Sequence, residues 1–236
     1  MLGGMTLQAG TDYVRGVAEL CDSAHPPVYA HLALARGALE ASVISAWLSE
    51  PGITTLERIK RGLCEFLYSA REVKELNLGS NGDAKVMWWN GVAQSFGWEV
   101  VGGRGRPTID GARRPRVGDE VTRLTGASAD ARIGDLLYSR FSAVDHVTWF
   151  GLMSALDIGA AERDERAGTG SVPVTVDGGR VAAYVYYVVR AVRAAAQTRF
   201  TTFGWADAEW GLAIERAGKL EEALLRIAVQ NRPGSV

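Results

Sequence analysis

Residues 54–75 read TTLERIKRGLCEFLYSAREVKE, and this stretch decides the fold class. Thr54 stands three positions before Glu57, the spacing of a capping box, in which each side chain satisfies one orphan backbone N–H at a helix start. Leu56, Ile59, Leu63, Phe66 or Leu67, Ala70 and Val73 then recur at intervals of three and four. That is helical periodicity, and it predicts one apolar stripe turned to a core. Arg58, Lys60, Arg61, Glu65, Arg71, Glu72, Lys74 and Glu75 fill the other face. A solvated face laced by i,i+4 ion pairs is expected there.

The same period extends in both directions. A first helix is expected from Thr11 or Asp12, with Tyr13, Val14, Val17, Leu20 and Cys21 on one side. It stops before His25-Pro26-Pro27, because the residue before a proline disfavours helix. A second helix is expected from Pro27 to Ser49, ended by Pro51-Gly52. Asp83 can cap a helix through Phe96. Residues 97–118 break the pattern with repeated glycine and proline and carry Arg104, Arg106, Arg113, Arg114 and Arg116. A loop insertion, solvated or functional, is expected there.

Beyond it come a short helix at 119–125 and a long amphipathic helix at Asp130–Leu156. Residues 157–179 read as a second loop, with Val172–Val176 as a minor strand and Asp177-Gly178-Gly179 as a turn. Helices at 180–198 and 207–229 close the chain. The expectation is therefore an all-α bundle of six or seven helices in one domain, residues 1–236, with at most a minor β element.

Composition narrows the class. The 236 residues are 47% hydrophobic and 22% charged, as in ordinary globular proteins. Formal net charge is −1, so no global pull toward nucleic acid exists, and nucleic acid is not an expected partner. The apolar run at Val181–Val189 is too short for a bilayer and is followed by Arg190 and Arg193. Met1–Gly10 is glycine-rich and unlike a signal segment, so a cytoplasmic location without membrane contact is expected. Cys21 and Cys64 fall at helical positions that read as buried free thiols.

Signatures of nucleotide-binding, hydrolase and zinc sites are missing. His25, His31 and His146 do not stand at metal-ligand spacing, so neither metal nor cofactor is expected. The run Tyr138-Ser139-Arg140-Phe141-Ser142-Ala143-Val144-Asp145-His146-Val147-Thr148-Trp149 is richer in chemistry. At about 100° per residue, Tyr138, Ser142, Asp145 and Trp149 share one stripe, and Ser139, Ser142 and His146 an adjacent one. A carboxylate beside an imidazole can transfer protons. The plainer alternative is a histidine that holds a core hydrogen bond while Asp145 faces water.

Seven tryptophans, Trp47, Trp88, Trp89, Trp98, Trp149, Trp205 and Trp210, suit either core packing or the walls of an apolar pocket. Arginines 104–116 could grip phosphate or RNA. The loop lacks interleaved aromatics, and solvent exposure is the plainer reading.

Tyr138, Ser142, Ala143, Val144, His146, Thr148, Trp149, Gly151 and Leu152 resemble a "YxxxSAVxHGTxWGL" helix found in a set of uncharacterised all-helical proteins of high-GC, actinobacterial-type bacteria. Ala35–Ala41, Arg58–Ser69 and Gly105–Pro115 are similar to further stretches of that set, in the same order. The resemblance implies an all-helical fold and no particular activity. One departure is Asp145-His146-Val147, where those proteins carry Ala-His-Gly. Arg140 and His146 also resemble, more weakly, the arginine-then-histidine signature of HEPN-type ribonucleases and toxins, although Phe141 stands where that pattern has a polar residue.

Three expectations follow. The first is a cofactor-independent cyclase or isomerase of bacterial specialised metabolism acting on an apolar small molecule. Asp145 and His146 would be its catalytic pair, with Tyr138, Ser142, Trp149, Trp88, Trp89 and Trp47 lining the substrate. The second is a HEPN-like nuclease, a possible homodimer, using Arg140 and His146. The third is a helical module that binds a ligand or partner without chemistry.

Overall fold

The computed structural model describes residues 1–23, 27, 29–76, 81–102, 106–126, 132–146, 162–164, 169–171, 177–205 and 208–230, with the backbone alone for Asp145 and for 162–164 and 169–171. The helices among them are α1 (Leu2–Cys21), α2 (Ala30–Leu48), α3 (Thr55–Glu75), α4 (Gly82–Ser95), α5 (Val117–Thr125), α6 (Ile133–Asp145), α7 (Gly178–Phe203) and α8 (Ala208–Gln230). Two small antiparallel sheets accompany them: β1 (Val100–Val101), β2 (Thr108–Ile109) and β3 (Ala112–Arg113) in order, and the pair β4 (Glu162–Asp164) and β5 (Thr169–Ser171). The chain is an all-α bundle with a minor β element.

α2 is the central helix. Ser42, Val43, Ile44, Ser45, Ala46, Trp47 and Leu48 are all buried, and seven consecutive residues cover every side of the helix over its last two turns. Such a helix sits inside a bundle rather than on its surface. One side joins Leu32, Leu39 and Val43 to Val121 of α5, Phe141 of α6 and Val188 and Ala195 of α7. The other joins Ile44, Trp47 and Leu48 to Leu63, Cys64 and Leu67 of α3, Ala93 of α4, Trp98 and Ile109.

α1 begins at Leu2, well before the expected Thr11 or Asp12. Gly3, Gly10 and Val17 are its buried positions, one per two turns. A Cβ on Gly10 would stand 3.5 Å from the Ala41 Cβ of α2. Gly3 O accepts from Ser45 Oγ of α2 at 2.8 Å. Glycines that read locally as helix-breaking are thus the small residues that let two helix backbones approach. Cys21, expected buried, is exposed at the far end of α1, while Cys64 is buried.

Thr54 caps α3 as expected, its Oγ1 accepting from Glu57 N at 3.1 Å. The stripe is displaced, however: Leu63, Cys64, Leu67 and Ala70 are buried, whereas Leu56, Ile59 and Phe66 are exposed. The charged face is not simply solvated either. Arg61 Nη1 donates to Trp47 O at 2.7 Å, and Arg58 donates to Leu48 O at 3.1 Å and Glu50 O at 3.2 Å. These arginines satisfy carbonyls at the C-terminal end of α2, which have no partner within their own helix.

The expected loop at 97–118 carries β1 to β3 and packs on α3. Asp110 (φ 48°) and Gly111 (φ 85°) join β2 to β3, and two successive positive φ angles are the mark of the Asp-Gly hairpin turn. Lys60 pairs with Asp110, Cys64 Sγ donates to Pro107 O at 3.1 Å, and Ile109 is wholly buried. The loop at 157–179 likewise contains the β4–β5 pair. Asp177, read as part of a turn, caps α7 by accepting from Gly179 N and Arg180 N. The expected Val172–Val176 strand and the 147–157 part of the long helix lie outside the described residues.

The closest helix contact joins α5 and α6. A Cβ on Gly134 would fall 1.9 Å from Gly118 O, and Gly134 N donates to Thr122 Oγ1 at 3.0 Å. Backbone on both sides leaves nothing to rotate away. Replacing Gly134 by Ala is expected to destabilise the fold by about 3 kcal/mol, the upper range for overpacking a close contact. Urea unfolding of the Gly134→Ala variant checks this, and an unchanged midpoint would contradict the contact.

Candidate functional site

The fold brings α6 against the outer side of α2. Leu137, Phe141 and Val144 seat α6 in the core, and this places Tyr138 and His146 along its α2-facing edge. From α2, Arg36 and Glu40 stand one turn apart. Tyr138 OH donates to Glu40 Oε1 at 2.9 Å, and Arg36 Nε donates to Glu40 Oε1 at 2.9 Å. Arg36 Nη1 lies 3.4 Å from His146 Nε2, and its guanidinium carbon lies 5.5 Å from the centre of the Tyr138 ring. A single carboxylate oxygen therefore takes a phenol and a guanidinium, and the same guanidinium reaches an exposed imidazole.

The environment of each group has a physical cause. Burial raises the pKa of Tyr138 above its ordinary value and the Glu40 charge raises it further, while Arg36 opposes both. The hydroxyl is held as a proton donor. Burial works against the charge on Arg36, but contact with Glu40 and Tyr138 outweighs it, so the guanidinium is held more firmly than in water.

A second polar group adjoins the first from α3 and the β3–α5 connection. Glu65 Oε2 lies 3.2 Å from Arg114 Nε, and neither atom has a hydrogen bond, so this is an ion pair without good alignment. Arg114 also lies over the Tyr68 ring, 4.2 Å from its centre, and Tyr68 OH donates to Glu72 Oε1 at 2.5 Å. Burial pushes the Glu65 pKa up, Arg114 opposes this, and the neighbouring Glu72 and Glu40 carboxylates add to it. Its carboxyl group is therefore held above the ordinary carboxylate range.

The expected site residues are only partly gathered. Tyr138 and His146 meet, and Ser142 lies between them, half-buried, its carbonyl accepting from His146 N at 2.9 Å. Asp145 ends α6, its side chain lying outside the described residues, as does all of Trp149. Trp47 and Trp89 belong to the other core cluster, on the α3–α4 side. Trp89 stacks on Phe66, with 4.6 Å between ring centres, and Trp88 stands edge-on to it at 4.2 Å while facing solvent. Trp205 is also exposed, so the tryptophans do not wall one pocket among the described residues.

Arg140 lies six residues before His146, which turns it about 120° away around the helix. It is half-buried over the Tyr184 ring of α7, 5.6 Å from its centre, and its Nε has no hydrogen-bond partner. Arg140 thus faces α7 while His146 faces α2. Of the loop arginines, Arg114 is taken by Glu65 and Tyr68, Arg106 Nη1 donates to Pro115 O, and Arg104 lies outside the described residues.

Arg36, Glu40 and Glu65 are not singled out by the sequence, where Arg114 stands only among the loop arginines. The signal that could have found Arg36 and Glu40 is a charged i,i+4 pair on a helix otherwise apolar all round. Among the described residues, no three His, Cys, Asp or Glu side chains gather to hold a metal ion, and no helix is long and apolar enough to cross a membrane. An apolar cavity of about 520 Å³ lies elsewhere, between α1, α7 and α8, and none of the expected site residues lines it.

Comparison with protein-family models, with curated proteins and with solved structures finds no match to this chain.

Because the neutral phenol is the favoured form of Tyr138, the stability it contributes is complete below the ordinary tyrosine range and lost as pH rises through the raised value. Alkaline titration followed by phenolate absorbance should show Tyr138→Phe removing one late-titrating group. Glu40→Gln should shift that group back toward the ordinary range. A titration curve unchanged in Tyr138→Phe, apart from one ordinary tyrosine, would contradict the buried contact.

Proposed function

We propose that the chain is a cofactor-independent acid–base enzyme of the isomerase or cyclase type, acting on a small organic molecule at the Arg36–Glu40–Tyr138–His146 site. The observation that carries this is the convergence of Tyr138 OH and Arg36 Nε on one oxygen of Glu40, with exposed His146 at the other end of Arg36.

The Tyr138 oxygen accepts a proton from a substrate carbon as its own hydrogen passes to Glu40 Oε1. Passing the proton on in one step suits a tyrosine whose phenolate is disfavoured by burial. His146, its Nε2 facing the Arg36 guanidinium, delivers its Nδ1 proton to a second position on the substrate and leaves a ring anion beside Arg36, so the molecule is rearranged with no net gain or loss of atoms. Arg36 pairs with Glu40 and fixes its distance to Tyr138. Exposed His146 and Glu40 then exchange protons with water, which resets both groups. The proton-bearing carboxylate of this reading is Glu40, where sequence alone pointed to Asp145.

A reaction of this kind leaves solvent hydrogen in its product. Incubating the protein with a bacterial small-molecule extract in heavy water should place deuterium in at least one metabolite, read by mass spectrometry. Tyr138→Phe and His146→Gln, checked for native helicity, should lower that labelling by about 100-fold or more, the usual worth of a positioned acid or base. Absence of labelling above a protein-free control, or equal labelling by both variants, would overturn the proposal.

A further inference from the structure

The cavity between α1, α7 and α8 has a different character from the polar site. Val17 and Ala18 of α1, Ala182 and Val189 of α7, and Leu220 and Ile227 of α8 are among the residues of its wall. Val17, Ala182 and Val189 line it although they are almost wholly buried, so the space reaches between the helices instead of lying on top of them. Its volume of about 520 Å³ is in the range of small-molecule sites. Leu220 and Ile227 also turn to solvent, which leaves one side of the cavity open.

The charge of one end is set by helix direction. Gly3 of α1 meets Arg199 near the end of α7, whereas Cys21 and Asp22, at the other end of α1, share the cavity with Gly178 at the start of α7. α1 and α7 therefore run antiparallel. The cavity's Gly178 end receives the C-terminal, partially negative end of α1 together with the carboxylate of Asp22, its C-cap residue. Asp22 is the charged residue among those described in the wall. The opposite pole of α7 does not cancel this, because Asp177 occupies Gly179 N and Arg180 N and also pairs with Arg180 at 3.3 Å. Burial pushes the Cys21 pKa up, so the thiol stays neutral beside it.

We propose that this cavity binds a lipophilic amine, a small molecule with an apolar body lying between α1, α7 and α8 and one cationic end at Asp22. The apolar body is held by removal from water along the valine and leucine walls. The ammonium group is selected by the carboxylate and the α1 C-terminus, and a carboxylate or phosphate head is repelled there. The site shares no residue with the Arg36–Glu40–Tyr138–His146 cluster and stands or falls apart from it.

Calorimetric titration of the full chain with decylammonium, decanol and decanoate, each below its micelle concentration, tests this. Decylammonium should bind one-to-one, about tenfold or more tighter than the other two. Asp22→Asn should erase that preference while leaving decanol binding unchanged. Ala18→Trp, at an exposed position where the ring blocks the open side without entering the core, should abolish binding with native helicity retained. Decanoate binding as well as decylammonium, or decylammonium binding that survives Ala18→Trp, would overturn the site. So would a wild-type dimer in sedimentation that Ala18→Trp splits, because a second copy would then cover the cavity.

Discussion

A helix buried on every side cannot leave the carbonyls of its last turn to water, and in α2 that demand organises the molecule. Trp47 O and Leu48 O are taken by Arg61 and Arg58 of α3, together with Glu50 O just beyond the helix. Ser49 O accepts from Thr202 of α7 at 2.7 Å, and Ser49 Oγ from Arg199 at 3.3 Å. Two helices far apart in sequence are thus tied to one helix end. An unsatisfied buried carbonyl costs more than a hydrogen bond returns, so these donors specify where α3 and α7 sit. Arg199 is also packed against the Phe203 and Trp205 rings, at 4.9 Å and 5.2 Å from their centres, which offsets part of the cost of burying its charge.

Close approach does the rest of the positioning. Gly3 and Gly10 admit α1 to the flank of α2, and Gly118 and Gly134 bring α5 and α6 into backbone contact. The second contact matters for the candidate site. With α6 held against α5 and its Leu137, Phe141 and Val144 in the core, Tyr138 reaches the carboxylate of Glu40. The polar site is a consequence of how the apolar faces of α2 and α6 meet, not of a separate loop assembled around a ligand.

Polar groups at the edge of this core are linked by opposed demands. Glu65 and Glu40 repel each other, burial disfavours the Glu65 charge, and Arg114 and Arg36 each hold one of the two carboxylates. Such a cluster rigidifies the bundle when every member is satisfied. The poor alignment of Glu65 with Arg114 is where it falls short.

Helix existence was legible because it depends on period and caps within one segment. The Thr54 cap and the last two helices follow from residues a few positions apart, whereas the buried stripe of α3 centres on Leu63, Cys64, Leu67 and Ala70 and leaves the expected Leu56, Ile59 and Phe66 exposed. The Asp110-Gly111 hairpin went unread, because the surrounding glycines and prolines give a loop pattern, although Asp-Gly is itself a local signal for a turn with two positive φ angles. Tyr138 and His146 could be placed on one side of α6 by counting residues. Three things could not be obtained this way. The start of α1 turned on glycines whose worth lies in the partner helix they admit. The fate of Arg58, Arg61 and Glu65 turned on carbonyls and a guanidinium contributed by other elements. The union of Tyr138 with Glu40, 98 positions away, turned on the crossing of α6 over α2. Local periodicity settles which face of a helix is apolar; only packing settles which polar groups at its margins find each other, because that depends on distances between segments that no single segment encodes.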